Sequence, residues 1–103
     1  MITLTEIYEE LFELGVVDTQ SEFSEFCGRK PSWYSSTIAR GRHPNIDVLY
    51  RLTWALHDTY LASIQAMEET SNNDEHKAFE AGVDVLEAIM GRVQDEMDRL
   101  CES

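Results

Sequence analysis

The chain has 103 residues, of which 43% are hydrophobic and 10% aromatic. That is enough for one small core, and it excludes both a disordered acidic tail and two full domains. The formal net charge is −12 but unevenly placed: residues 1–28 carry seven acids and no base, residues 29–51 five bases and one acid, and residues 52–103 twelve acids and three bases.

Thr3 or Thr5 caps a predicted first helix, with Glu6 or Glu9 in its opening turn. Leu4, Tyr8, Leu11 and Phe12 recur at helical spacing, and Gly15 ends the element. The stretch TQSEFSEFC reads as a short second helix in which Thr19 and Glu22 form a capping box. Phe23, Phe26 and Cys27 give it a buried face, and Gly28 stops it. Pro31 and Ser32 mark a turn, and WYSSTIAR is a predicted third helix closed by Gly41, with Trp33 or Tyr34 sharing a face with Ile38.

Asn45 or Asp47 opens a fourth helix. There Ile46, Leu49, Leu52, Leu56, Tyr60, Ile64 and Met67 recur every three or four residues. It is either one helix to about Met67 or two pieces broken near His57-Asp58, and Trp54 is expected in the core or a packing seam. The polar run EETSNNDE, residues 68–75, is predicted to be a loop. Beyond it Phe79, Val83, Leu86, Met90, Val93, Met97 and Leu100 are separated by 4, 3, 4, 3, 4 and 3, a heptad seam that Val85 and Ile89 widen. A helix of about 25 residues spans roughly 37 Å. That length, behind a polar loop, points to self-association through those seven positions. The expected fold is therefore all-α: a four- or five-helix domain over residues 1–67, a polar loop over 68–75 and an oligomerisation helix over 76–101.

The succession of short helices suggests a helix-turn-helix. Residues 19–56, TQSEFSEFCGRKPSWYSSTIARGRHPNIDVLYRLTWAL, also resemble the DNA-binding domain of the phage-repressor-like (Cro/C1, XRE) regulators. The resemblance rests on Thr19-Gln20 opening the second helix, on Phe23, Ser24 and Cys27 before the turn glycine Gly28, and on Tyr34-Ser35 in the third helix. Gly41, Arg42 and Pro44 then precede Leu49 and Leu52. It implies a lambda-repressor-like domain that places the third helix in the major groove of double-stranded DNA as a homodimer. On that reading Gln20, Ser32, Ser35, Ser36 and Thr37 approach bases or phosphates. Arg29, Lys30, Arg40 and Arg42 neutralise phosphates. The expected function is a sequence-specific transcriptional regulator. The alternative is a helix-turn-helix scaffold that binds protein, as an antirepressor-like or DNA-mimicking factor, which suits the acidic flanks.

Other chemistries find no support in the sequence. His43, His57 and His76 are scattered, and Cys27 and Cys101 form neither a metal-ligand spacing nor a disulfide framework. No phosphate-binding glycine loop or calcium loop is present. No enzyme activity, metal or cofactor is expected. The absence of a leader pattern or an 18-residue apolar run makes a reduced, cytoplasmic setting away from membranes the expectation.

Overall fold

The computed structural model describes residues 3–39 and 44–102. It is all-helical among those residues: α1 (Leu4–Glu13), α2 (Gln20–Phe26), α3 (Trp33–Ala39), α4 (Ile46–Glu69) and α5 (Asn73–Glu102). Most helix starts follow local chemistry. The Thr3 hydroxyl accepts the Glu6 N–H at 3.2 Å, Thr19 accepts the Glu22 N–H at 3.0 Å, and Asn45 accepts the Val48 N–H at 2.9 Å. The Glu22 carboxylate reaches back to the Asp18 N–H at 2.8 Å, one residue before the usual capping-box donor. Gly15 ends α1 with φ of 78°, and the Val16 N–H donates to the Leu11 carbonyl at 3.0 Å.

α4 is one unbroken helix of 24 residues. The connection to α5 is three residues, 70–72, instead of the predicted 68–75. The polar residues at either end of that run belong to helix termini. Glu68 and Glu69 complete α4, while the Asn72 side chain accepts the Asp74 and Glu75 N–H groups at 2.9 and 3.1 Å as α5 begins.

α4 and α5 pair antiparallel. The Thr53 hydroxyl lies 3.5 Å from Met97 Sδ, and the Tyr60 hydroxyl donates to Glu87 at 2.8 Å nearer the connection. α1 lies along the same hairpin, where Arg92 reaches Glu10 at 2.8 Å and Glu6 at 3.1 Å. One core joins all five helices: Leu4, Ile7 and Leu11 of α1, Phe23 of α2, Tyr34 of α3, Leu49, Leu52 and Leu56 of α4, and Leu86, Ile89 and Val93 of α5. The division into a 1–67 domain and an independent terminal helix is thereby corrected.

The heptad seam is corrected with it. Val83, Leu86 and Val93 are 5%, 2% and 0% exposed, and Met90, Met97 and Leu100 are partly buried against the same core. Of the seven positions only Phe79, at 36%, is exposed. The hydrophobic stripe expected to meet a second copy is covered by this chain's own α1 and α4. No described helix is long and apolar enough to cross a membrane.

Candidate nucleic-acid interface

The pair α2–α3 is built around a serine. Ser24 is fully buried between Phe23 and the end of α2. Its hydroxyl donates to the Gln20 carbonyl at 3.1 Å and accepts the Tyr34 N–H at 2.9 Å. The second bond satisfies a donor in the first turn of α3, which lacks an intrahelical partner. It fixes the start of α3 against the middle of α2. The sequence pattern marks Ser24 as a small packing residue; the signal for its second role is a hydroxyl on an otherwise apolar helix face.

The intervening turn is equally determined. Gly28 has φ of 75°, its N–H donates to the Glu25 carbonyl at 2.9 Å, and the Arg29 N–H donates to the Ser24 carbonyl at 2.9 Å. The positive φ calls for glycine, whereas a Cβ there would meet only the exposed, movable Arg51 side chain, with Cδ at 2.8 Å. Three rings then anchor the pair to α1. Tyr8, Phe23 and Tyr34 have centroids 5.1–5.5 Å apart, and Tyr34 is 3% exposed. Burial holds the Tyr34 hydroxyl above the ordinary tyrosine pKa. Of the two aromatics opening α3, Tyr34 is thus the anchor, while Trp33 is partly buried.

The predicted DNA-facing residues fall into four groups. Gln20, Lys30, Ser32, Ser35 and Ser36 are exposed, and Ser35 donates to the Gln20 side-chain oxygen at 3.2 Å, which joins the starts of α2 and α3 into one polar edge. Thr37 is buried, at 9% exposure, and is withdrawn from the contact surface because it lies on the core side of α3. Arg29 is exposed in part, but its guanidinium pairs with Asp47, which also lies 3.8 Å from Arg51. One carboxylate, 18 residues from Arg29 in sequence, thus serves two of the five cations in the basic segment. Arg40 and Arg42, and the side chain of Ile38, lie outside the described residues.

The remaining polar chemistry is sparse. Among the described residues, no group of three or more His, Cys, Asp or Glu side chains converges on a position that could hold a metal. Cys27 is buried and its thiol is pushed up to about 12 by burial, which leaves it protonated and unreactive. A cleft of about 460 Å³ lies away from α2–α3, lined by Leu14, Val16, Phe79 and Val85 with Glu13 and Ser63.

Replacing Ser24 with alanine tests the architecture of this site. The substitution leaves the buried Tyr34 N–H without its acceptor and should cost about 1–3 kcal/mol in urea titration, with faster exchange of that amide. An unchanged midpoint would show that α3 is held by other contacts.

These features define a small all-α protein in which a short, polar helix pair is carried on a long antiparallel hairpin. The chain belongs to the DUF6626 family, a family of unknown function, whose pattern matches residues 4–102. No curated protein and no solved structure matches the chain.

Proposed function

We propose that this protein is a sequence-specific DNA-binding regulator of the helix-turn-helix type, acting as a homodimer. One observation carries the reading. Ser24 fixes α2 against α3 so that Gln20 and Ser35 share an exposed polar edge, and Lys30 is exposed in the turn between the two helices. Short hydroxyl side chains on α3 permit close approach to a groove, and the Gln20 amide supplies both a donor and an acceptor suited to an adenine edge. Lys30, with Arg40 and Arg42 from the same basic segment, supplies phosphate contacts.

A second reading is favoured by a specific ion pair. Asp47 neutralises Arg29 inside a chain of net charge −12, which weakens the field available for a duplex. The same helix pair then serves as a scaffold for a protein partner.

Fluorescence anisotropy with labelled duplexes at several salt concentrations separates the two. A DNA-binding protein loses affinity as salt rises. Lys30→Gln and the double change Arg40→Gln, Arg42→Gln should reduce the magnitude of the log–log slope by about 1 for each phosphate left without its cation. Gln20→Ala should instead narrow the gap between selected and mismatched sites. No binding of random or selected duplex at low salt overturns the regulator reading in favour of the protein-binding scaffold.

A further inference from the structure

With the α5 seam covered by its own chain, the apolar surface left over is concentrated on α4. Ile46, Tyr50, Trp54 and Leu61 are 43%, 54%, 56% and 51% exposed. Their spacing of 4, 4 and 7 keeps them within about 80° of one another around a helix of 3.6 residues per turn. The buried set Val48, Leu49, Leu52 and Leu56 lies on the far side. Trp54, expected in the core, therefore faces outward, and its ring sits edge-on to Tyr50 at 6.3 Å. His57 is the polar residue within this stripe.

We infer that a second copy of this chain covers the α4 stripe, in an antiparallel α4–α4 pair whose two-fold axis passes beside Trp54. The charges flanking the stripe carry the choice of occupant. Arg51 and Asp58 are seven residues apart, so they lie on the same edge of the helix. The midpoint between them falls at residues 54 and 55. A two-fold axis there, perpendicular to the helix, keeps like edges together and reverses direction. Arg51 of each copy, which lies 3.8 Å from Asp47 of its own chain, then also meets Asp58 of the other, and Ile46 falls within a turn of Leu61 on the second copy. This is the self-complementarity an isologous interface requires.

Area is consistent with such a pair. The four side chains expose roughly 400 Å² on one copy, within the size range of a functional patch on a monomer. Two copies bring together about 800 Å². With the polar rim of an ordinary interface the total is about 1,200 Å², the lower end of stable association. The stripe is also less acidic than α1 or α5: residues 46–61 carry two acids and one base, against four acids and no base on α1 and nine acids and three bases on α5. Repulsion between two bodies of charge −12 is therefore smaller here than along either of those helices.

The inference rests on the homodimer part of the regulator reading and is tested without DNA, so its failure and that of DNA binding are separate results. Sedimentation equilibrium of the full chain at about 50 µM in about 0.15 M salt, where the Debye length is about 8 Å, reads association directly. The wild type should be a dimer, and Trp54→Lys should be a folded monomer by far-UV circular dichroism, with affinity lowered more than about 100-fold. Arg51→Glu and Asp58→Arg should each weaken the dimer about tenfold by placing two like-charge pairs across the axis. An equimolar mixture of those two variants should recover association to within about threefold, because both cross pairs are then attractive. That recovery cannot come from a variant that merely misfolds. A monomeric wild type overturns the inference and leaves the stripe to a different protein. A dimer indifferent to Trp54→Lys, or a mixture that stays as weak as its components, overturns it as well.

Discussion

Leu86→Asp should unfold this protein rather than separate two copies of it. Leu86 is 2% exposed and packs in the core shared by all five helices. An aspartate there either keeps its charge without a partner or is protonated at a cost, and also vacates part of the leucine volume. The expected loss is more than about 4 kcal/mol, a large share of the roughly 5–15 kcal/mol available to a domain of this size. Far-UV circular dichroism with urea titration should show the helical signal collapsing at 25 °C or at very low denaturant. A variant that keeps full helicity and only lowers its oligomeric state would return the α5 seam to the role of an intermolecular interface. The contrast with Trp54→Lys on the α4 stripe is direct: one substitution strikes a core, the other a surface.

Phe23→Ala should be the next most damaging change, at about 3–5 kcal/mol by urea titration. Phe23 is fully buried, and its ring meets Tyr8 at 5.5 Å and Tyr34 at 5.1 Å, so the cavity opens where α1, α2 and α3 converge. The surrounding rings limit how far the site can collapse. Protection of amides in α2 and α3 against hydrogen exchange should fall more than in α5, since those helices are short and depend on this anchor. A loss below about 1 kcal/mol would mean that the helix pair is not part of the cooperative core. The polar edge of Gln20 and Ser35 would then lack the rigid support that base readout needs.

The sequence already contained the local grammar of the fold. Hydroxyl and amide side chains at Thr3, Thr19 and Asn45 accept backbone N–H groups three residues on, an interaction within one turn of chain. Gly15 and Gly28 adopt positive φ at the ends of α1 and α2, where a glycine relieves the steric penalty. The exposed candidates Gln20, Ser32, Ser35 and Ser36 are likewise legible, because turn and helix signals place them on short polar elements. Ser24 is legible as a packing residue of α2, but its bond to the Tyr34 N–H spans ten residues and needs two helices in place.

By itself, then, the sequence determined where α1, α2 and α4 start and where α1 and α2 stop, which faces are apolar, and that the chain is all-α with a long final helix. Tertiary structure alone decided what each face meets. A heptad stripe records that a surface will be buried, but hydrophobic burial has no direction and no preference for an intermolecular neighbour over an intramolecular one. α4 continues unbroken to Glu69, and a connection of only residues 70–72 returns α5 antiparallel beside it, so the seam is covered within one chain. The same packing turned Trp54 outward, because Leu49, Leu52 and Leu56 occupied the opposite face of α4 against the core. It also brought Asp47 to Arg29 and Glu10 to Arg92, pairs separated by 18 and 82 residues. Charges that far apart interact only once the chain between them has folded, and no local pattern specifies which will meet.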